Sequence, residues 1–284
     1  MSKIKFGTDG WRAIMGEDFI PENVAKVIQA FCDWKKTEAN RLIYVGYDRR
    51  NNSTETAQLV ATVLANNGFS VRLSEDFCPT PAISWLVKSE KALAGVVITA
   101  SHNPPQWNGI KFKNSVGGAA GPEYTDEVES RIPQVSAVKV DGFDTLLEQE
   151  TIQYFNSSET YGAHLKEFIA VDKIKAAGFK VAVDPLFGAG TDVIKGILDN
   201  EIVQIHDAAD PNFGGLNPEP IEKNLSGLME AVVKEKADIG LATDGDADRI
   251  GAVDSNGKFI NSHQIFGLLL QHNVAYRGGK GAII

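Results

Sequence analysis

Apolar positions along the chain follow two alternating periods. After Pro21, residues Val24, Val27, Ile28, Phe31 and Trp34 recur at the spacing of one helical face, and the proline suits a first helical turn. Leu42–Tyr47 is a short apolar run with β-branched and aromatic residues, ending at Asp48, and reads as a strand. A helix is expected to start near Asn52 or Ser53, to run through Leu59, Val60, Val63 and Leu64, and to stop at Asn66-Asn67-Gly68. Residues 70–73 are the next expected strand, residues 80–87 a helix after Pro79, and residues 95–99 a strand running into Ser101-His102-Asn103-Pro104.

The order then returns. Residues 179–184 read as a strand ending in Asp184, 191–198 as a helix, 202–206 as a strand and 225–236 as a helix. Residues 238–242 read as a strand running into Asp244-Gly245-Asp246-Ala247-Asp248-Arg249. Strands alternating with helices indicate βαβ units, and two such series indicate a tandem duplication. The expected fold class is α/β, with tandem repeated α/β/α domains and mixed, largely parallel sheets. Each copy places polar residues after its third strand. Ligands of open α/β sheets bind outside the carboxyl ends of strands, so both loops lie where binding loops belong. A boundary is expected near residues 153–158, where Asn156-Ser157-Ser158 breaks the periodicity. Residues 250–254 and 258–260, around Ser255-Asn256-Gly257, read as a hairpin closing the second copy. A helix over 264–275 and a strand beginning at Gly281-Ala282-Ile283-Ile284 would open a third copy. The expected division is 1–155, 156–260 and a truncated start of a third domain over 261–284, so the chain reads as an N-terminal fragment.

Composition narrows the class. The 284 residues, 43% hydrophobic and 23% charged, suit a globular protein of about two domains. A formal charge of −9 argues against a general nucleic-acid or anionic-membrane surface, though not against a small anionic substrate in a local positive pocket. Cys32 and Cys78 are too few for a disulfide framework or a four-thiolate zinc site and read as buried or incidental residues of a reducing compartment. Residues 1–10 go straight into polar and turn residues with no secretory apolar region, and the longest apolar runs are far too short to span a bilayer. A cytoplasmic protein is expected.

Candidate chemistry sits in the two loops. Asp244, Asp246 and Asp248 lie at i, i+2, i+4; in an extended or looped backbone alternate residues face one side, so three carboxylates converge. Hard oxygen donors of this kind suit Mg²⁺ or Ca²⁺. The calcium-loop pattern fails, because Arg249 stands at its glycine position and Ser255 at that of its bidentate glutamate. A solvated acidic turn is the bland alternative. Arg249 could hold an anionic group or merely pair with a neighbouring aspartate. Ser101 lacks the G-x-S-x-G elbow of a hydrolase nucleophile, and His102 is badly placed as its base because adjacent side chains usually point apart. Taken alone, Ser101 to Pro104 is a turn. Paired with the aspartates, a serine bearing about −1.5 to −2 charge as its phosphate would be balanced by their cation. Lys111 could be solvated or, beside phosphate and metal, move a proton. Arg12, after the turn-rich Phe6-Gly7-Thr8-Asp9-Gly10-Trp11, is either the end of a capping turn with Trp11 in the core or a phosphate contact. Gly188-Ala189-Gly190 lacks the third glycine of a dinucleotide loop and reads as a tight turn, and residues 213–220 read as a surface connection. Trp34, Trp85 and Trp107 have no basic residues interleaved and read as packing residues rather than a nucleic-acid platform.

Four segments together resemble the α-D-phosphohexomutases, the family of phosphoglucomutase, phosphomannomutase and phosphoglucosamine mutase: FGTDGWR (6–12), TASHNPPQWNGIK (99–111), FGGLNPEP (213–220) and DGDADR (244–249). They occur in family order, and the resemblance spans essentially the whole chain. It implies that Ser101 is a phosphoserine and that Asp244, Asp246 and Asp248 bind Mg²⁺ with a phosphoserine oxygen. It implies further that Lys111 assists proton transfer and that Arg12, His102 and Arg249 lie near the phosphoryl group. The implied reaction interconverts hexose 1-phosphate and hexose 6-phosphate through a hexose 1,6-bisphosphate. The family has four domains, and the third and fourth supply sugar recognition and a clamp on the non-reacting phosphate, so this chain alone is expected to turn over poorly or not at all. The run 99–113 favours glucose or mannose over glucosamine. A non-catalytic sugar-phosphate or metal-binding module and a phosphatase are the competing readings; phosphate on Ser101 separates the first from a mutase, and phosphate release without isomerisation marks the second. Neither nucleic acid nor membrane is expected as a partner, and the oligomeric state is not indicated.

Overall fold

The structure is a computed structural model that describes residues 4–7, 10–198 and 201–281. Its first unit is built from β1 (Trp11–Ile14), α1 (Pro21–Lys35), β2 (Leu42–Tyr47), α2 (Ser53–Asn66), β3 (Ser70–Ser74), α3 (Thr80–Ser89), β4 (Ala94–Ile98), β5 (Trp107–Lys113), α4 (Pro122–Arg131), α5 (Phe143–Glu148) and β6 (Ile152–Phe155). The strands form a mixed sheet of order β1-β5-β4-β2-β3-β6, parallel from β4 to β6 and antiparallel at β5 and β1. The apolar stripe of α1 faces this sheet: Val24, Val27, Ile28 and Phe31 are all buried. Phe31 stacks on Phe112 of β5 with centroids 5.1 Å apart, and burial of a side chain of that size contributes about 1.5–3 kcal/mol. Strand β2 is central, and an uninterrupted apolar run suits a strand covered on both faces.

The second unit follows with α6 (Ser157–Phe168), α7 (Val171–Ala177), β7 (Val181–Asp184), α8 (Val193–Ile197), β8 (Ile202–Gln204), α9 (Ser226–Glu235), β9 (Ile239–Thr243), β10 (Ile250–Asp254) and β11 (Phe259–Ile260), and α10 (Ser262–Gln271) comes after it. Its sheet runs β11-β10-β9-β7-β8. The segment β10-β9-β7-β8 repeats the order and the parallel or antiparallel sense of β5-β4-β2-β3. The duplicated rhythm of the sequence is thus a duplicated topology. It places the loop after β4, which carries Ser101, and the loop after β9, which carries the aspartates, at equivalent strand ends.

Several expected elements differ in extent. The helix expected over 191–198 is only Val193–Ile197, because the chain turns through a left-handed Asp192 (φ 61°) before it starts. The strand expected over 202–206 ends at Gln204, two residues before the left-handed His206 (φ 49°). The last helix starts earlier, at Ser262, where Asn261 and Gln264 form a capping box, and passes into a π turn over His272–Tyr276. Of the strand expected over 281–284, residues 282–284 lie outside the described residues, as do Thr8 and Asp9. Strand β6 pairs in parallel with β3, and α6 begins immediately after it. Both cysteines are free and buried, and burial pushes the Cys78 thiol up to about 11. Among the described residues, no helix is long and apolar enough to cross a membrane.

Candidate phosphoryl-transfer site between the two units

The serine loop and the aspartate loop meet. Ser101, fully buried, adopts a left-handed backbone (φ 56°), which is costly for a residue with a Cβ and persists only where neighbours enforce it. Its N–H donates to Thr99 Oγ1 at 2.7 Å. Its hydroxyl donates to Asp244 Oδ2 at 2.9 Å. The left-handed turn also brings the two adjacent side chains to one side, so that Ser101 Oγ lies 3.4 Å from His102 Nδ1. The expectation that serine and histidine point apart is therefore corrected, although at this distance the contact is weak.

The aspartates converge as expected, but through a turn rather than an extended strand. Ala247 is left-handed (φ 57°), and Asp244 Oδ1 accepts the N–H groups of Asp248 and Arg249, each at 3.0 Å. One carboxylate oxygen from each of Asp244, Asp246 and Asp248 falls within 4.8 Å of the others. Burial and the negative charges of Asp246 and Asp248 push the Asp244 carboxyl up to about 8. Burial also pushes Asp246 up, but the Lys111 ammonium and hydrogen bonds from Thr80 and Lys111 outweigh it and hold that carboxyl below its ordinary value. Asp246 Oδ1 is buried and, among the described residues, has no hydrogen-bond donor. Three converging carboxylates with an orphaned oxygen fit a small divalent cation that prefers oxygen ligands.

Lys111 is buried rather than solvated. Its Nζ lies 2.9 Å from Asp246 Oδ2 and 2.9 Å from Asp248 Oδ2. Arg12 Nη1 donates to Asn103 Oδ1 at 2.7 Å from β1, while Trp11 beside it is packed in the core. Among the described residues Arg249 pairs with Glu219 at 3.8 Å rather than with a neighbouring aspartate. Burial and the positive charge of Arg249 push the His102 imidazole down.

The loop over 213–220 is more than a surface connection. Phe213 is fully buried, and the carbonyl of Pro218 accepts the Gly245 N–H at 3.2 Å. The glycines of the tight turn have a second use: a Cβ on Gly188 would come within 2.8 Å of the Gly245 backbone. Four residues not singled out in the sequence complete the site. Thr80, at the start of α3, binds Asp246 twice, from its N–H to the carbonyl at 2.9 Å and from its hydroxyl to Oδ2 at 2.7 Å. Asp48, Arg50 and Thr99 form a buried network under Ser101. Asp48 was legible in one respect only: it stands at the carboxyl end of a central strand, where binding loops begin.

Residues 3–139 match the family model of phosphoglucomutase/phosphomannomutase α/β/α domain I, and residues 159–257 match that of domain II. The chain is 34% identical over 281 residues to a phosphoglucomutase/phosphomannomutase of Thermococcus kodakarensis, covering 96% of this chain and 60% of that protein. It is 32% identical over 271 residues to a phosphoglucosamine mutase of Pelotomaculum thermopropionicum, covering 92% of this chain and 58% of that one. A crystal structure from Thermus thermophilus, proposed to be a phosphomannomutase, superposes with a TM-score of 0.89 at 30% identity, covering 98% of this chain and 62% of that chain. The chain thus spans about 60% of the length of these relatives. With two successive units matched in order, and with the loops that close their third parallel-sheet strands interlocked, the chain belongs to the α-D-phosphohexomutase family.

Proposed function

We propose that this chain carries the phosphoserine and the metal site of an enzyme that interconverts hexose 1-phosphate and hexose 6-phosphate through a hexose 1,6-bisphosphate. One observation supports this above the others: Ser101 Oγ, from the unit we assign to residues 1–155, lies 2.9 Å from Asp244 Oδ2, from the unit we assign to residues 156–260. Asp244, Asp246 and Asp248 would hold Mg²⁺ together with a phosphoserine oxygen. Bound there, the ion would neutralise charge on the phosphoryl oxygens. The remaining steps fall to side chains. A substrate hydroxyl oxygen forms the new bond to phosphorus as the bond from phosphorus to Ser101 Oγ breaks. Lys111 Nζ gives a proton to the departing serine oxygen, and the amine so formed takes the proton of the attacking hydroxyl. Arg12, His102 and Arg249 hold the phosphoryl oxygens, and most of the catalysis is positioning and charge balance. The return transfer, from the other phosphate of the bisphosphate to Ser101, regenerates the phosphoenzyme and completes the isomerisation.

The run 99–113 supports glucose or mannose as the sugar. Glucosamine is the second reading, supported by relatives such as that of Pelotomaculum thermopropionicum. Intact-protein mass spectrometry of the full-length protein after incubation with glucose 1,6-bisphosphate and Mg²⁺ tests the chemistry, with Ser101→Ala as control. A phosphate on the native protein that is missing from the variant is expected; a Ser101 that neither carries nor accepts phosphate overturns the proposal. Parallel assays on glucose, mannose and glucosamine 1-phosphates decide the sugar, and phosphate release without isomerisation would instead make the protein a phosphatase.

A further inference from the structure

Arg50 lies directly beneath the serine loop with its side chain wholly buried. All five of its side-chain N–H donors are used. Nε meets Asp48 Oδ2 at 3.1 Å. Nη1 donates to the carbonyls of Pro104 at 2.9 Å and Trp107 at 3.0 Å. Nη2 donates to those of Ser101 at 2.8 Å and Asn103 at 2.7 Å. Three carbonyls of the serine loop and that of Trp107, the first residue of β5, therefore converge on a single guanidinium. Asp48 anchors that guanidinium and reaches the same loop by a second route: its Oδ2 accepts the Thr99 hydroxyl at 2.7 Å, and Thr99 Oγ1 in turn accepts the Ser101 N–H at 2.7 Å. Both backbone groups of Ser101 are thus tied to the Asp48–Arg50 pair. The pair also reaches the second unit, since the Arg50 guanidinium stands 4.9 Å from the Phe213 ring centroid.

No part of Arg50 is open to a substrate, and its donors are spent on backbone and on Asp48. We propose that Arg50, seated on Asp48, is a positioning residue that holds Ser101 in its left-handed conformation and so aims Oγ at Asp244. The catalytic half of this inference rests on the reading of Ser101 as the phosphoryl carrier; the conformational half does not. A planar five-donor fork is required, and the three donors of a lysine cannot reach four carbonyls and a carboxylate together.

Arg50→Lys keeps the charge opposite Asp48 and removes the fork. Two measurements on it are read together. In hydrogen exchange followed by mass spectrometry, amides of residues 101–108 should exchange on the order of tenfold faster than in the native protein, while those of β2 and β4 keep their rates. In labelling of Ser101 by glucose 1,6-bisphosphate with Mg²⁺, the rate at saturation should fall roughly ten- to a hundredfold with the half-saturating concentration unchanged. Unchanged exchange in the loop overturns the proposal. So does a labelling defect expressed only as a raised half-saturating concentration, which would make Arg50 a binding group. If the full-length native protein takes no label, the phosphoserine reading fails by itself, and loop exchange alone upholds or overturns the conformational role of Arg50. Should Arg50→Lys not fold, the double variant Asp48→Asn/Arg50→Gln leaves no unpaired buried charge and is read in the same way.

Discussion

Lys111 and Asp246, 135 positions apart in sequence, meet at 2.9 Å at the junction of the two units, both almost completely buried. The ammonium is hydrogen-bonded to two of the three converging carboxylates, Asp246 and Asp248. Removing it leaves a buried carboxylate uncompensated, which costs about 3–5 kcal/mol. Lys111→Met should therefore unfold at markedly lower urea concentration than the native protein. Added Mg²⁺ should raise its melting temperature by more than it raises that of the native protein, because the ion restores a positive charge beside Asp246. Equal shifts in the two proteins would show that the ion does not offset the loss of the ammonium.

Thr80 bears on the same carboxylate from the first unit. Its hydroxyl donates to Asp246 Oδ2 at 2.7 Å, and a hydrogen bond to a charged group contributes about 1.5–3 kcal/mol. Thr80→Val keeps the shape and removes the donor. Urea unfolding should show a loss in that range, and a loss near zero would mean that the bond makes no net contribution.

Gly245 sets how closely the two loops approach. A Cβ there would stand 2.5 Å from the Ser101 carbonyl oxygen, closer than real Cβ contacts allow. Gly245→Ala must push the aspartate loop away from the serine loop. Overpacking of this kind costs about 1–3 kcal/mol. Under the proposed role of Ser101, its labelling by glucose 1,6-bisphosphate should suffer beyond that stability loss, with a rate reduced on the order of a hundredfold, since misplacement by about an ångström has that effect. Native labelling kinetics in a stable Gly245→Ala protein would contradict this account of the junction.

His206 gives the second unit a pH dependence of its own. Its Nδ1 lies 3.1 Å from both oxygens of the buried Asp184, and that hydrogen bond raises the imidazole above its ordinary value of 6.5, against the opposing effect of burial. A raised value in the folded state means that the protonated form is favoured by folding. Its contribution is fully present below about pH 6.5 and is lost as pH rises through the folded value. For a partly exposed pair the amount is on the order of 1 kcal/mol or less. Melting temperature measured against pH should fall more steeply above neutrality in the native protein than in His206→Asn. Parallel curves would show that the pair contributes nothing.

The legible elements share a physical reason. Strand β2 was readable to the residue because a short run rich in β-branched and aromatic residues, closed by Asp48, suits a strand covered on both faces. Helices α1 and α2 were readable because each carries a full apolar stripe with a proline start or an Asn-Gly stop. Short elements such as α8 were misjudged in length, since five residues give no periodicity and the left-handed Asp192 leaves no mark in composition. The three aspartates and Ser101 stood out because their residue types carry chemistry. Arg50 did not, because a charged doublet after a strand looks like solvated surface until its carbonyl partners are seen.

The order of residues by itself determined two repeated α/β units and the loops of chemistry-bearing residues that follow their third strands, because these follow from local periodicity and turn chemistry. It could not determine that Lys111 is dry, that Ser101 is turned left-handed so that His102 comes alongside it, or that Arg50 lies under the loop. Those facts depend on contacts between segments far apart in the chain, made only when two sheets dock and exclude water from the groups between them.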